Sequence, residues 1–242
     1  MTRVLFVFAH QDDEVAAAVH ILRFVRSGAH VACVFLTNGE GNGCAAATRD
    51  DESRRALASI GVDDVHFGTL PDGALVEHLD EAIARLEAID ADEIWTLAYE
   101  GGHQDHDAAH IAALTVAEQR NIPCVEFPLY HGFHSLGPLF RVCAPLPGQY
   151  TRWPVSMRDA WRTTRLVRFY QSQRRTWLGL LPFVIWRLFF VRRVVTRDAS
   201  AERTHARPHV GSLFYERRFG FPYERFSAAA AAATARRSAR SR

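Results

Sequence analysis

The chain contains no lysine; all 29 of its basic residues are arginine. That excludes phosphate-binding loops whose lysine reaches the phosphates, and it excludes Schiff-base chemistry on a lysine amine. Cysteine is scarce, and Cys33, Cys44, Cys124 and Cys143 lie far apart with no paired spacing. With a strand pattern that starts almost at Met1 and no signal sequence before it, we expect reduced thiols and a cytoplasmic protein. A bilayer span needs roughly 20 uninterrupted apolar residues. The most apolar segment, residues 178–195, is broken by Pro182, Arg187, Arg192 and Arg193, so a helical hairpin packed on the body, or an interfacial amphipathic segment, is expected instead. Internal repeats are absent, as is the Gly-x-Gly-x-x-Gly spacing of dinucleotide-binding loops. The nearest thing to it, Gly39-Glu40-Gly41-Asn42-Gly43, follows the second strand rather than the first and is expected to border a substrate site.

What the chain does have is apolar side chain, 48% of 242 residues, enough for one compact domain with an appendage. Its net charge of +2 conceals a division. Residues 1–150 carry 9 Arg against 22 acidic residues, a balance of −13, whereas residues 151–242 carry 20 Arg against 5, a balance of +15. An acidic body is joined to a basic end.

Short apolar runs at residues 4–8, 31–36, 65–67, 93–97 and 124–125 alternate with helical patterns at 13–26, 49–60, 77–89 and 107–120. Gly28 and Gly61 supply helix stops. Such alternation predicts an α/β, Rossmann-like fold: a mostly parallel, doubly wound sheet with helices on both faces. The predicted organisation is a catalytic core over 1–135, an Arg- and aromatic-rich C-terminal extension packed on it over 136–227, and a disordered Ala/Arg tail over 228–242.

Sites in these folds lie outside the carboxyl ends of the strands. Directly after strand one comes Ala9-His10-Gln11-Asp12-Asp13-Glu14, an imidazole and three carboxylates, and after strand four comes His103-Gln104-Asp105-His106-Asp107. So much charge at the mouth of buried strands is costly unless a cation neutralises it. If strands one and four are neighbours, the two loops face each other, and His10, Asp13 and His106 can reach one point. Two imidazoles and a carboxylate, with a fourth position left to water, are a catalytic zinc set. Asp12 then stands beside the metal as general base. Asp105 is expected to orient an imidazole, and Glu14 to anchor the first helical turn. His20, His30, His66, His78, His110, His131 and His134 are read as structural or solvated.

These two stretches resemble the A-H-P-D-D-E and H-P-D-H signatures of the LmbE-like or PIG-L family of zinc-dependent N-acetylglucosaminyl de-N-acetylases. Thr37-Asn38-Gly39-Glu40, Arg49-Asp50-Asp51-Glu52 and Leu70-Pro71-Asp72-Gly73 match further family segments in order, and Tyr170-Gln171-Ser172-Gln173 matches one more faintly. The sequence departs from the signatures at Gln11 and Gln104, where the family has proline. The resemblance implies zinc, or another divalent ion such as Fe2+, on His10, Asp13 and His106, with Asp12 as base. It further implies His103 near the metal as a protonated acid or electrostatic stabiliser, and Arg49 and Asp72 on sugar hydroxyls. A tyrosine that in some members precedes the second motif is replaced by Gly101-Gly102, with Tyr99 as the nearest substitute. The implied reaction is removal of the acetyl group from an acetamido sugar or glycoconjugate, with hydrolysis of a related sugar-linked amide or other N-acyl group as the alternative. Asp12 and His103 both remain candidates to protonate the leaving amine.

A different class of function is suggested by the basic end, where Arg clusters alternate with Trp and Phe. An anionic membrane surface or a nucleic acid would suit it. The acidic body argues against nucleic acid, leaving peripheral contact with the inner face of a membrane, or simple compensation of the body's charge, as the expectations. Oligomeric state has no signature in the sequence.

Overall fold

The computed structural model describes residues 1–40, 43–135 and 139–240. Gly41 and Asn42 of the glycine-rich loop and the last two residues of the Arg tail lie outside these.

Strand β1 (Arg3–Phe8) is buried from Val4 to Phe8, because both of its faces are covered by helices. It is followed by α1 (Glu14–Ser27), which ends at Gly28 with φ 77°. Then come β2 (His30–Thr37), α2 (Ala46–Ala58), β3 (Asp64–Leu70), a 3-10 turn (Leu75–His78) running into α3 (Leu79–Glu87), β4 (Glu93–Leu97), α4 (Gln104–Arg120) and β5 (Cys124–Phe127). The strand order begins β3-β2-β1-β4-β5, all parallel, so the winding reverses between β1 and β4. That reversal places the β1 and β4 carboxyl ends side by side, as the sequence predicts.

The C-terminal region does more than pack on this core. After a small pair, β6 (Tyr130–His131) and β7 (Arg141–Val142), it contributes β8 (Thr151–Pro154) and β9 (Arg193–Asp198), both of which extend the same sheet. β9 pairs antiparallel with β5, and β8 with β9, giving seven strands in the order β3-β2-β1-β4-β5-β9-β8. Without β9, strand β5 would be an exposed edge. Buried Glu126 of β5 locks the join, accepting from Arg197 Nε at 2.5 Å and Arg203 Nη1 at 2.9 Å.

Two expectations for this region need correction. Residues 178–195 are not a hairpin. Helix α6 (Arg174–Ile185) continues through a π-helical turn (Trp186–Val191), and Arg192, at φ 55°, reverses the chain into β9. No glycine stands in the segment's second half to make a tighter helical turn. Nor is the tail disordered over its described part: α9 (Tyr223–Arg240) is helical. Alanine is the best helix former, Phe226 is buried near Tyr99 and Tyr215, and Arg236 and Arg237 pair with Asp80 and Glu87 of α3. Helices α5 (Met157–Leu166), α7 (Ala201–Thr204) and α8 (Phe214–Phe219) complete the chain. Among the described residues no helix is long and apolar enough to cross a membrane.

His20 of α1 is a structural histidine, as expected, packed 4.8 Å from the Trp95 ring. Burial, reinforced by the charge of Arg23, pushes its pKa down to about 3. The unfolded chain therefore binds a proton here that the fold rejects. His20's contribution is complete above its ordinary pKa of 6.5 and drains away as pH falls toward the folded value. Thermal denaturation should thus show a steeper acid loss of stability in wild type than in His20→Phe, the difference approaching about 1.4 kcal/mol per pH unit. Identical slopes would show that His20 is not held neutral.

Candidate metal-hydrolase site

The turn after β1 is held in an unusual backbone state. Asp12 has φ 101°, a region non-glycine residues avoid. Its N–H donates to Glu14 Oε2 at 2.7 Å, and Tyr170 in turn donates its hydroxyl hydrogen to Glu14 Oε1 at 2.5 Å. Glu14 is therefore more than a first-turn anchor: it bridges the strained residue to the C-terminal region. Burial raises its pKa to about 7, against the pull of hydrogen bonds from Ser53 and Tyr170.

This conformation brings His10 and Asp13 together, and α4 supplies His106 from across the switch point. His10 Nδ1 lies 3.3 Å from His106 Nε2 and 3.7 Å from Asp13 Oδ2, while His106 Nε2 lies 3.2 Å from Asp13 Oδ1. The other nitrogen of His10, Nε2, faces Asp105 Oδ2 at 3.1 Å and Asp72 Oδ1 at 3.0 Å. Nε2, shared with these carboxylates, leaves Nδ1 directed at Asp13 and His106. Asp105 also accepts from the N–H groups of Gly73, at 2.6 Å, and Leu75, at 3.0 Å, tying the loop after β3 to the site.

Burial opposes charge on His10, but Asp72, Asp105 and Asp13 outweigh it and draw its pKa well above the usual value. For Asp13, burial is likewise outweighed, here by His106 and His10, and its pKa falls to about 2. Asp12 goes the other way, raised to about 7 by burial and by Asp13 and Glu14, in spite of Arg49. His103 is pushed down to about 3, first by burial and then by His10. Its Nδ1 accepts from Asp105 N–H at 3.1 Å, capping α4. Both features favour a neutral His103 ring with its hydrogen on Nε2 over the protonated ring expected from sequence.

Arg49 is buried, and both of its terminal nitrogens are engaged. It donates to Gly39 O at 2.7 Å, to Gln11 O, and to Asp12 Oδ1 at 3.3 Å. It thus holds two loops and the Asp12 carboxylate, and Asp72 leans on His10; the sequence expected both to face sugar. Both nonetheless line the cavity. The two glutamines that stand where the family signatures have proline each make a loop-to-loop bond, Gln11 Nε2 to Asp50 Oδ1 at 2.6 Å and Gln104 Nε2 to Gly73 O at 3.2 Å.

Above these groups is a cavity of about 460 Å³. His10, Asp12, Asp13, His103 and His106 line its polar end, while Tyr130, Phe140, Trp177, Leu180 and Phe219 form an apolar wall. Tyr130 was not anticipated. Its ring meets His106 edge-on at 5.2 Å, and nothing in the residues 130–131 marks them as a strand that folds back over α4. Tyr99, the substitute suggested by sequence, is buried against α9 and His110, away from the cavity.

The fold is a Rossmann-like α/β sheet, and its β1/β4 switch point gathers histidine and aspartate. Residues 5–117 match the family described as PIG-L: GlcNAc-PI de-N-acetylase, and they form a domain of that PIG-L (LmbE-like) deacetylase family. The chain is 28% identical over 130 residues to an uncharacterized deacetylase, YaiS, of Escherichia coli (strain K12), across 50% of this chain and 69% of that protein. In fold it is similar to a deacetylase of teicoplanin biosynthesis, with TM-score 0.63 and 18% identity over 83% of this chain and 100% of the other. It is also similar to the N,N'-diacetylchitobiose deacetylase of Pyrococcus horikoshii, with TM-score 0.54 and 18% identity over 86% and 88% of the two chains.

Gly102 shows how tightly the wall is set: a Cβ there would come within 1.9 Å of Tyr130 O. Gly102→Ala should destabilise the protein by about 1–3 kcal/mol, as overpacking does. Gly179→Ala, in α6 with open space around it, should instead be neutral or stabilise by about 0.5–1 kcal/mol. Chemical denaturation of both variants tests the pair, and equal effects would contradict the packing described.

Proposed function

We propose that the chain is a divalent-metal-dependent hydrolase that removes the N-acetyl group from an N-acetylglucosamine-type sugar or glycoconjugate. The observation that carries this reading is that His10 Nδ1 and His106 Nε2 stand 3.3 Å apart with the Asp13 carboxylate across both, its Oδ2 3.7 Å from the first and its Oδ1 3.2 Å from the second. Tetrahedral bonds of about 2.0–2.1 Å separate ligand atoms by roughly 3.3 Å, so the two imidazole nitrogens stand at the spacing that zinc or an ion of similar size needs, with the Asp13 carboxylate beside both. Neighbouring carboxylates add the negative charge a buried cation needs. His10, Asp13 and His106 would hold the ion, with Asp105 and Asp72 fixing the His10 ring. When bound, the metal supplies Lewis acidity, polarising the acyl carbonyl and acidifying water.

The chain's own residues do the rest. Asp12, raised by burial and oriented by Arg49, accepts a proton as water adds to the carbonyl carbon. The neutral His103 ring can donate a hydrogen bond from Nε2 to the oxygen where charge develops. As the C–N bond breaks, the proton on Asp12 passes to the departing amine, giving the free amino sugar and acetic acid, which ionises to acetate on release. Asp12 begins and ends ionised. The apolar wall of Tyr130, Phe140 and Trp177 excludes bulk water and offers faces against which a sugar ring can lie.

Metal analysis combined with an amine-release assay over a panel of N-acetylglucosaminyl compounds tests the reading. His10→Ala should lose both metal and turnover. Asp12→Ala should retain metal and lose about 10²–10⁴-fold in kcat, the usual scale for a general base. Full metal content in His10→Ala, or unaltered turnover in Asp12→Ala, would refute the assignment.

A further inference from the structure

The structure sorts the arginines of the basic end into two groups. One group neutralises the acidic body: Arg197 and Arg203 on Glu126, Arg225 on Glu77, Arg236 on Asp80 and Arg237 on Glu87. The other surrounds α6. From residue 160 to residue 196 the chain has eight Arg and no acidic residue. Arg165, Arg174, Arg175, Arg192 and Arg193 are exposed and have no ion-pair partner among the described residues. Charge compensation therefore does not account for them.

Between these arginines α6 and its π-helical extension show two apolar faces. Trp177, Leu180, Val184 and Leu188 are buried. Leu178, Phe183, Trp186 and Phe190 are 76%, 52%, 59% and 67% exposed. Trp186 stacks on Phe190 at 4.9 Å, and the adjacent Phe189 meets Trp161 of α5, itself exposed, at 5.2 Å. Single exposed apolar residues are ordinary, but five large ones gathered on one surface are not.

We propose that this face of α6, with Trp161, is a docking surface for an anionic lipid bilayer, α6 lying in the interfacial plane. Trp, Phe and Leu flanked by Arg, with no intervening acid, match the chemistry of a headgroup boundary, where rings enter the acyl edge and guanidinium groups meet lipid phosphate. A second copy of the chain fits less well. A two-fold contact would set one unpaired Arg cluster against its own image, with no carboxylate in the segment to separate them. A single strand of nucleic acid could stack on Trp186 and Phe190 but would leave Leu178 and Phe183 uncovered. Because Trp177 and Leu180 on the buried side of α6 line the cavity, docking would put that cavity one helix diameter from the lipid surface, about 10 Å. The inference stands independently of the proposed chemistry, since binding is read without turnover.

Sedimentation with phosphatidylcholine vesicles, with and without phosphatidylglycerol, tests it on the whole protein. The wild type should bind only the anionic vesicles and release as salt is raised. Arg192→Gln with Arg193→Gln should weaken partitioning about fivefold per arginine, the equivalent of about 1 kcal/mol each. Trp186→Ser with Phe190→Ser should weaken it at least tenfold while leaving the melting temperature unchanged. If that variant is unstable, Arg174→Gln with Arg175→Gln serves as a second surface test. Failure of the wild type to bind, or undiminished binding by the variants, would overturn the proposal. So would a dimer in ultracentrifugation that these substitutions dissolve, or tight binding of a single-stranded oligonucleotide in place of vesicles.

Discussion

Four aspartates, Asp12, Asp13, Asp72 and Asp105, are pressed against His10 and His106 in a recess largely closed to water, and the architecture serves to hold them there. Left to themselves, buried carboxylates would protonate or repel one another apart. Here each is held by a specific partner. Asp13 faces both imidazoles, Asp105 accepts two backbone N–H groups as well as His10, and Asp12 meets Arg49. The result is a carboxylate-rich pocket with a ring nitrogen of each imidazole directed inward, which is the setting a divalent cation requires.

The strain at Asp12 belongs to the same arrangement. A backbone at φ 101° costs about 1–3 kcal/mol and persists only where the surroundings over-determine it. Glu14 and Arg49 do so from two sides, and Tyr170 ties Glu14 to the C-terminal region. The C-terminal region is thus part of the site even though the family match ends at residue 117. It supplies Trp177, Leu180 and Phe219 to the cavity wall, and its strand β9 closes the edge of the sheet that carries the chemistry.

How much of this was legible in the sequence follows from how local the signals are. Buried parallel strands such as residues 4–8 announce themselves as apolar runs, and the charged turns after β1 and β4 stand out against them. From those two facts the switch point and the meeting of His10, Asp13 and His106 could be read before any coordinates. What was hidden depends on contacts distant in sequence. Nothing in Asp72 says that it will lean on His10, since Pro71-Asp72-Gly73 is a turn in its own right. The Val194-Val195 pair in β9 is masked by arginines on either side, and the alanines of α9 gave a low-complexity pattern whose helix is fixed by pairing with α3. The burial that lowers the pKa of His103 is likewise invisible in a motif.

X-ray absorption spectroscopy of the metal-loaded protein examines the central claim most directly. The account predicts two imidazole scatterers and additional oxygen ligands at about 2.0–2.1 Å, with one imidazole signal lost in His106→Ala. A metal surrounded by oxygen alone, or a spectrum unaltered by that substitution, would contradict it.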